Sequence, residues 1–295
     1  MIALLIASRP AAWFDEYPGV TDLQEAMGRP SICETTRLWF ADQGELAAFA
    51  YVLEPYNNLV FEVASSYETK IDRDLVAWGM TCASYSEDDP AANTLDICCR
   101  DDDLRRMALL ERQGFSRIEG NTVRMMRSLD DPLPPPRLPE DFSIRSIEGE
   151  NEVDPLVALH RAAFGTTNMT REERLAIMRA PDYDASLDLI VIAPDGHFAA
   201  YCTCSISPIG NRLTGKKIGH TDPVATHPDY QRRGLAQALL LRGAQLLKDR
   251  GMELAILGTS SDNSAMQKAA QAAGFHVYSR TVWFSKPIPE KMSYA

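Results

Sequence analysis

No stretch of the 295 residues approaches the ~18 consecutive apolar residues that a membrane-spanning helix requires. The opening run Met1–Ala7 is apolar, but it is too short to span a bilayer, and Arg9 and Pro10 follow it. The sequence also lacks the basic leader that precedes the apolar core of a secretory signal. These absences predict a cytoplasmic protein with no membrane partner.

Basic residues are in the minority. The chain has 30 lysines and arginines against 41 aspartates and glutamates, a net charge of −11 and a pI near 5.0. A general binder of the phosphate backbone needs a basic surface, so this balance predicts no nucleic-acid partner. A local basic cluster can still bind one small anion.

Cysteine is scarce, with six residues in the chain, which is too few for a disulfide scaffold. Cys202 and Cys204 flank Thr203, so both would point to the same face of a strand. No second cysteine or histidine pair follows at the spacing of a zinc site. We therefore predict structural thiols and no metal site.

Two common phosphate-binding motifs are also missing. The sequence contains neither Gly-x-x-x-x-Gly-Lys-Ser/Thr nor Gly-x-Gly-x-x-Gly, so it predicts neither a P-loop nor a dinucleotide fold. Its apolar fraction of 45% and charged fraction of 24% are ordinary for a globular protein. The length favours two domains of roughly 150 residues each.

Proline is concentrated in one place, where residues 130–139 contain five prolines among ten residues. Such a segment cannot sustain a helix or an inner strand and favours an extended spacer. We predict a linker there, between a first domain of residues 1–129 and a second of residues 140–295.

The second domain alternates strand and helix patterns. We expect strands at 142–145, 187–192, 197–205, 218–226, 254–257 and 275–284, and helices at 151–164, 171–178, 235–247 and 264–273. Thr170 and Glu173 have the spacing of a capping box before the second helix. Pro223 interrupts the strand 218–226, which predicts a bulge or a free edge at that point. The fold class is α/β (α+β), with a mixed central sheet flanked by helices.

The first domain repeats this order at a fixed distance. Gly114-Phe115 and Gly274-Phe275 are 160 residues apart, and this offset aligns strand, helix, strand and helix in the two halves without gaps. Sequence identity is low, so the repeat is one of pattern. The constant offset of the repeated elements favours an internal duplication of the chain over a chance similarity of two α/β units.

One segment has the features of an anion site. An apolar strand ends at Thr226, His227-Pro228-Asp229 forms a turn, and the small residues Gly234 and Ala236 open the next helix. Small residues let a ligand approach the backbone, and the first amides of a helix are unpaired and carry partial positive charge. Arg232 and Arg233 add two full charges, so the segment predicts a site the size of a pyrophosphate.

This segment resembles the pyrophosphate loop of the GNAT superfamily of acyl-CoA-dependent N-acyltransferases, Arg/Gln-x-x-Gly-x-Gly/Ala, which Gln231–Ala236 matches. The flanks fit as well: an apolar strand precedes the loop, and a strand, Asn263, a helix and Gly274-Phe275 follow it. The resemblance covers residues 140–286. With the repeat, it implies two tandem GNAT folds, each with a mostly antiparallel sheet, arranged as in the mycothiol synthases.

The resemblance implies acetyl-CoA as cosubstrate and a small amine as acceptor. In it, the backbone of Val224 and Thr226 pairs with the pantetheine amides, and the amides from Arg232 to Gln237 hold the pyrophosphate. Asn263 either reaches the pantetheine or caps the next helix, and His227 is a turn residue rather than a base. The cofactor-binding residues that we predict are Val224, Ala225, Thr226, Gln231, Arg232, Arg233, Gly234, Leu235, Ala236, Gln237 and Asn263.

The catalytic assignment rests on two candidates. Many family members place a carboxylate early in the strand before the loop, where this chain has His220 and Asp222. Either could act as the base through a water, and His220 titrates nearer neutrality. Many members also use a tyrosine as the acid for the thiolate, but its position here is Ala270. Tyr278 is a spare candidate for that acid, with core packing as its alternative role.

The first domain departs from the family at its loop. The 160-residue offset places Asp74 opposite Gly234 and Asp72 opposite Arg232, which would set two carboxylates against a pyrophosphate. We therefore predict that the first domain has lost acyl-CoA and serves as a wall of the substrate cleft. The function predicted for the protein is N-acetyl transfer from acetyl-CoA to a primary amine of a small molecule. A non-catalytic acyl-CoA sensor and an inactive interaction module are the alternatives.

Overall fold

The computed structural model of the protein describes residues 1–10, 13, 17–53, 57–85, 93–167, 169–180 and 182–289. The chain divides into two compact units. Unit 1 comprises Met1–Asn121 and Arg280–Ala295, and unit 2 comprises Thr122–Ser279. Across the described ranges, every helix is too short or too polar to cross a membrane.

Unit 1 opens with short helices, which lead into alternating strands and helices. Its elements are α1 (Ile2–Ser8), α2 (Val20–Met27), α3 (Pro30–Glu34), β1 (Arg37–Phe40), β2 (Leu46–Leu53), β3 (Asn58–Val63), α4 (Glu68–Cys82), β4 (Thr94–Arg100) and α5 (Leu104–Arg112). The sequence predicts strands at 59–64 and 95–98 and helices at 75–82 and 104–112, which correspond to β3, β4, α4 and α5. The helix α4 begins seven residues earlier than predicted, and the elements before β3 were not predicted.

The elements that follow belong mostly to unit 2. They are β5 (Ser116–Ser128), β6 (Ser143–Ser146), α6 (Val153–Phe164), α7 (Arg171–Met178), β7 (Asp188–Ile192), β8 (Phe198–Ile206), α8 (Pro208–Thr214), β9 (Ile218–Thr226), α9 (Leu235–Asp249), β10 (Leu254–Ser260), α10 (Ser264–Ala272) and β11 (His276–Pro287). Thr170 and Glu173 form the predicted capping box of α7. The helix α8 was not among the predicted elements.

Each unit contains a mixed, mostly antiparallel sheet, as predicted. In unit 1 the strand order is β1-β2-β3-β4-β11, with only the β3–β4 pair parallel. In unit 2 the order is β5-β10-β9-β8-β7-β6, with only the β9–β10 pair parallel.

Each unit's part of the sheet includes one strand that comes from the other half of the chain. In unit 1, Thr281–Pro287 of β11 pair with β4, so that Val282 lies opposite Cys99. In unit 2, Thr122–Ser128 of β5 pair with β10. The division between the units therefore falls at Asn121/Thr122 and Ser279/Arg280, whereas the predicted linker, residues 130–139, follows β5 inside unit 2.

The 160-residue register that the sequence predicts is present in most of the repeated elements. The starts of β3 and β9, of β4 and β10, and of α5 and α10 are each 160 residues apart. The gapless alignment is wrong at one helix, because α4 begins at Glu68 and α9 at Leu235, a distance of 167 residues. The chain between strand and helix is therefore shorter in unit 1: residues 64–67, against residues 227–234 in unit 2.

Close packing of α9 against β8 and β9 fixes the core of unit 2. Gly243 of α9 faces Cys204, and a Cβ atom at Gly243 would lie 2.6 Å from the Cys204 sulfur. Gly219 of β9 similarly leaves room only for the side chain of Leu247. The absence of these two side chains lets the helix lie directly on the sheet.

Cys202 and Cys204 point to the same face of β8, as predicted, and both are buried under α9. Their sulfur atoms are 3.6 Å apart, and both are free thiols. The hydrogen bond with Cys204 and burial raise the pKa of the Cys202 thiol. Within the described ranges, no group of three or more His, Cys, Asp or Glu residues is placed to hold a metal ion.

Candidate active site

The strands β9 and β10 separate part-way along their length. Their parallel pairing runs from Ile218–Leu254 to His220–Ile256, and within residues 182–289 no further pair joins them. Beyond that point β9 continues to Thr226, still paired with β8 on its other side. The result is a cleft bordered by one edge of β9.

The backbone N–H and C=O groups of two residues of β9 face this cleft. The N–H of His227 donates to the carbonyl of Ala199 on β8 at 2.9 Å. Because successive residues of a strand direct their polar groups to opposite sides, the N–H and C=O of Thr226 and Val224 point away from β8 and toward the cleft. The Nε2 of Gln231 donates to the Thr226 carbonyl on that side at 3.4 Å.

Asp222 bridges the mouth of the cleft. Its Oδ2 accepts a hydrogen bond from the N–H of Gly258 on β10 at 3.0 Å. The Asp222 side chain thus accepts the hydrogen bond that a backbone carbonyl of β9 would accept if the two strands continued to pair. From the sequence, Asp222 is a candidate base, and nothing in the sequence predicts this bridge.

A bulge lies beside the bridge. The register between β8 and β9 shifts where Thr221 pairs with Cys204 and Val224 pairs with Cys202, so two residues of β9 stand opposite Thr203. The bulge predicted at Pro223 is therefore confirmed. Gly219 and Thr221 face α9, and alternation places His220 and Asp222 on the opposite face of the sheet, under α6.

The turn after β9 is held by its own side chains. His227 accepts from the N–H of Asp229 through its Nδ1 at 3.3 Å, which gives it the predicted turn role. Tyr230 donates to Asp195 at 2.6 Å, and this hydrogen bond raises the pKa of Tyr230. These contacts fix the direction in which the chain enters the following helix.

Two residues of the loop before α9 have a left-handed backbone conformation. Arg232 has φ 63° and Gly234 has φ 79°, while Arg233 between them is not left-handed. Such an alternation turns successive backbone N–H groups toward one point and creates a concave anion site. Gly234 is also the N-cap of α9 and offers no side chain to the amides of Leu235, Ala236 and Gln237.

The side chains of the loop and of the first turn of α9 each have a different environment. The guanidinium of Arg233 lies 5.8 Å from the ring centres of both Phe142 and Tyr230, a cation–π arrangement that the sequence did not predict. Arg232 is exposed. Gln237 donates to the carbonyl of Ala272 at 3.0 Å and thereby ties α9 to α10.

Residues 153–275 match the family model described as the acetyltransferase (GNAT) family. This part of the chain belongs to that family. The match begins at α6, spans the cleft and the loop before α9, and ends one residue before β11; it therefore covers the cleft and the loop, but not Phe142.

Curated relatives extend the likeness. The chain is 26% identical over 200 residues to a mycothiol acetyltransferase of Saccharomonospora viridis, covering 66% of this chain and 65% of that protein. It is 27% identical over 172 residues to a mycothiol acetyltransferase of Arthrobacter sp., covering 57% of this chain and 52% of that protein. The matched region thus spans between half and two thirds of the length of these two relatives.

Solved structures share the GNAT fold over more of the chain. A GCN5-related N-acetyltransferase from Sphaerobacter thermophilus has a TM-score of 0.74 and 22% identity, covering 98% of this chain and 92% of that chain. A tandem GNAT protein from the clavulanic acid biosynthesis pathway has a TM-score of 0.67 and 17% identity, covering 87% of this chain and 85% of that chain. Both likenesses extend beyond the GNAT unit and into unit 1.

The remaining predicted residues lie around the GNAT cleft. Asn263 caps α10, because its Oδ1 accepts from the N–H of Met266 at 3.0 Å. Ala270, where many members of the family carry a tyrosine, is fully buried in the core of the unit. Tyr278 lies on β11 and is partly buried.

A buried polar network of the GNAT unit escaped the sequence analysis. Asp188 is fully buried at the start of β7 and forms an ion pair with Arg174 of α7. Tyr183 donates to the same carboxylate at 2.6 Å, and Thr203 donates to it at 3.1 Å. The only sign of this network in the sequence is Asp188, a charged residue at the start of an otherwise apolar strand.

A histidine lies near this network. The Nδ1 of His160 on α6 is 2.7 Å from the hydroxyl of Tyr201 on β8. Burial, followed by the positive charge of Arg174, lowers the pKa of His160. Burial raises the pKa of Tyr201. Both side chains are therefore uncharged at neutral pH.

Unit 1 differs at the position that corresponds to the GNAT loop. Only residues 64–67 connect β3 to α4, so no segment equivalent to 227–234 is present there. The prediction that Asp74 stands opposite Gly234 is wrong, because Asp74 is an exposed residue within α4. Asp72 also falls within α4, and its side chain lies outside the described residues.

Proposed function

We propose that the protein is an acetyl-CoA-dependent N-acetyltransferase that acts on a primary amine of a small molecule, with acetyl-CoA held by unit 2. The observation that carries this proposal is the continuous path from the free edge of β9 to the uncapped start of α9. The edge offers the backbone of Val224 and Thr226, and the loop ends at Gly234. A strand edge suits an extended amide chain, and a helix start suits a pyrophosphate.

The residues present fit acetyl-CoA. The pantetheine amides would pair with Val224 and Thr226, as one strand pairs with another, with Ala225 between them facing β8. The pyrophosphate would accept from backbone amides between Arg232 and Gln237, and the exposed Arg232 would add charge at the rim. Asn263 would act indirectly, because its side chain already orients α10.

Acetyl-CoA supplies an acetyl group activated as a thioester. The amine must lose a proton before its nitrogen attacks the carbonyl carbon; the C–N bond then forms, the C–S bond breaks, and the thiolate takes up a proton. His220 is our candidate for the first proton, because it stands on the sheet face opposite α9 and two residues before the cleft. Asp222 is less suited to that role, because one of its oxygens already accepts from Gly258.

A non-catalytic acyl-CoA sensor is the second candidate. The observation that favours it is Ala270, whose complete burial leaves no acid for the thiolate at the place where the family commonly has one. Tyr278 is the substitute acid that the chain offers. This alternative predicts acetyl-CoA binding without turnover.

Unit 1 serves, in this proposal, as a GNAT-like domain without acyl-CoA. The support is the short connection of residues 64–67, which cannot form the eight-residue loop of unit 2. The titration of acetyl-CoA should accordingly show one site per chain.

Two measurements on the full chain test these proposals. Calorimetry should show one acetyl-CoA bound, and free thiol should appear when a panel of primary amines is added to the complex. Binding without thiol release for any amine would favour the sensor, and an absence of binding would overturn both candidates. A second acetyl-CoA bound per chain would contradict the assignment of unit 1.

A further inference from the structure

A cavity of about 500 Å³ lies beside the end of β3. Every lining residue that the structure describes falls between Ser8 and Arg112, so the cavity belongs to unit 1. The wall on β3 is formed by Phe61, Glu62 and Val63, and the other walls come from the end of α1 and from α5. Sites for small molecules measure roughly 300–1,000 Å³, so this cavity is large enough to hold a ligand.

A buried carboxylate lies in the deep part of the cavity, between two arginines. Glu62 is 4% exposed, and its Oε2 accepts a hydrogen bond from the Nε of Arg9 at 2.9 Å. Its Oε1 accepts from the Nη2 of Arg106 at 3.3 Å. Two guanidinium groups thus contact one carboxylate. Because water has little access to these side chains, it screens the excess positive charge only weakly.

Positive charge also prevails around the rest of the cavity. Its described lining residues include four arginines and three acidic residues: Arg9, Arg105, Arg106 and Arg112, with Glu62, Asp102 and Asp103. Asp102 is paired from behind the lining, because Arg100 donates to its two oxygens at 2.8 and 3.0 Å. With Arg100, the described charges at the cavity are five guanidinium groups and three carboxylates, in a chain whose net charge is −11. A local excess of positive charge in an acidic protein favours an anionic ligand.

Apolar side chains make up much of the remaining lining. The guanidinium of Arg106 lies 4.7 Å from the ring centre of Phe61, and the ring of Trp13 lies in the same lining. Leu109 contributes from α5. Leu104, at the start of that helix, lines the cavity although it is 72% exposed, so a ligand with an apolar body would remove its surface from water. The cavity therefore combines basic groups with an apolar contact surface.

We propose that this cavity of unit 1 binds an organic carboxylate with an apolar body, as a second ligand of the protein that is distinct from acetyl-CoA. The planar fork of a guanidinium matches the two oxygens of a carboxylate, and the apolar body would lie against Leu104, Leu109 and Phe61. A single negative charge suits the site better than the several charges of a coenzyme A, because three carboxylates in the same lining repel further negative charge. The inference stands apart from the proposed N-acetyl transfer, since it uses residues of unit 1 alone.

Three matched probes test the class of ligand by calorimetry on the full chain. The probe 3-phenylpropanoate carries both the charge and the apolar body, 3-phenylpropanamide lacks the charge, and propanoate lacks the ring. We expect one 3-phenylpropanoate per chain, bound at least about tenfold more tightly than either of the other two. Its affinity should be the same with and without saturating acetyl-CoA. An amide that binds as tightly as the carboxylate, an absence of carboxylate binding at millimolar concentration, or displacement by acetyl-CoA would overturn the proposal.

A pair of double variants tests whether the charge of the cavity binds the carboxylate. Arg105→Gln/Arg112→Gln removes two exposed guanidinium groups from the lining and should weaken 3-phenylpropanoate about tenfold, with the amide unaffected. The matched control is Arg73→Gln/Arg117→Gln, which removes two exposed arginines of unit 1 that lie outside the lining. Both variants have the same net charge. An equal loss of affinity in the two would trace the effect to the charge of the whole chain and overturn the assignment of the cavity.

A second matched pair tests the apolar part of the site. Leu104→Ser makes an exposed position of the lining polar and should weaken 3-phenylpropanoate about fivefold while leaving propanoate unchanged. The control is Leu38→Ser, at a leucine of unit 1 that is 42% exposed and lies outside the lining, which should leave both affinities unchanged. Because both leucines are exposed, the melting temperature should stay close to that of the wild type. An unchanged affinity for 3-phenylpropanoate in Leu104→Ser would show that the apolar body does not lie in this cavity.

Discussion

The carboxylate of Asp222 accepts a hydrogen bond from the backbone N–H of Gly258 at 3.0 Å, at the point where β9 and β10 have ceased to pair. In a regular parallel pair that N–H would donate to a backbone carbonyl of the neighbouring strand. The side chain is longer than a backbone carbonyl, so the same hydrogen bond is made while the strands stand further apart. The cleft is thus a consequence of one residue in β9, combined with the bulge that follows it.

We expect the hydrogen bond from Gly258 to Asp222, rather than the charge of the carboxylate, to stabilise the structure of the cleft. Asp222→Asn keeps an oxygen that can accept from Gly258, whereas Asp222→Ala leaves a partly buried N–H without its partner. Asp222→Ala should lower the free energy of unfolding by about 1–3 kcal/mol, and Asp222→Asn by less. Denaturant unfolding and acetyl-CoA calorimetry of both variants provide the measurement.

Turnover of the same two variants tests the catalytic alternative. If Asp222 is the base, Asp222→Asn should lose about 100-fold in kcat although its bridge is intact. Retained turnover in Asp222→Asn would leave the residue a positioning role only.

The exchange of β5 and β11 between the two halves of the chain predicts which fragments of the chain fold. Residues 122–279 contain the whole of unit 2, including the part of β5 that pairs with β10. Residues 140–295 lack that strand, and with it the buried side chains of Val123 and Met125. We expect the first fragment to unfold cooperatively and the second to aggregate, because one edge of β10 and the core beneath it are uncovered. Circular dichroism and size-exclusion chromatography check this, and a well-folded 140–295 would contradict the assignment of β5 to unit 2.

The sequence predicted most elements of unit 2 because their apolar periodicity agrees with their turns and caps. The capping box at Thr170 and the bulge at Pro223 each depend on a residue type with strong local preferences. The division between the units was less accessible, because β5 and β11 have the same local pattern whichever sheet they join. Contacts between residues that are distant in sequence decide which sheet a strand joins, so the local sequence pattern does not reveal the exchange.

Within the candidate site, backbone features were predictable and side-chain partners were not. The turn role of His227 and the left-handed Gly234 follow from local chemistry. The bridge from Asp222 to Gly258, the burial of Asp188 and the position of Arg233 over Phe142 each join residues that are distant in sequence. The comparison of Asp74 with Gly234 failed because a gapless offset cannot detect a shortened loop.

An isosteric pair at the N-cap of α9 tests the anion site. Gly234 has φ 79° and open space around its absent Cβ, so substitution there meets backbone strain but no clash. Asparagine and aspartate both tolerate the left-handed conformation, and only aspartate brings a negative charge. We expect Gly234→Asn to bind acetyl-CoA slightly more weakly than wild type, and Gly234→Asp to bind about 100-fold more weakly than Gly234→Asn. Equal affinities of the two variants in calorimetry would contradict a pyrophosphate at this helix start.

Close packing of α9 gives a second matched test, on stability. A Cβ atom in Gly243→Ala would lie 2.6 Å from the sulfur of Cys204, which cannot move far because it is buried. We expect Gly243→Ala to lower the free energy of unfolding by about 1–3 kcal/mol. The double variant Gly243→Ala/Cys204→Ala removes the clash, so its loss should be smaller than the sum of the two single losses. Strict additivity in urea unfolding would show that this contact does not fix the helix.

The last prediction concerns the proton that the amine must lose. If His220 is the base, kcat should rise with pH as the imidazole loses its proton, because only the neutral imidazole accepts a proton from the amine. An amine that lost its proton to solvent would instead give a transition near about 10.4. His220→Gln keeps a polar side chain but cannot titrate, so it should lower kcat about 100-fold, abolish the transition and leave acetyl-CoA affinity unchanged.

His160 provides the control for this assignment, because it belongs to the same unit and its α-helix covers the same face of the sheet. Burial and Arg174 lower its pKa, so a transition caused by His160 would lie below the ordinary histidine value. We expect His160→Gln to keep the pH transition of the wild type, since the Nδ1 of His160 is already engaged with the hydroxyl of Tyr201. Full pH–rate profiles of both variants with one saturating amine decide between them. A transition that survives in His220→Gln but disappears in His160→Gln would transfer the role of base to His160.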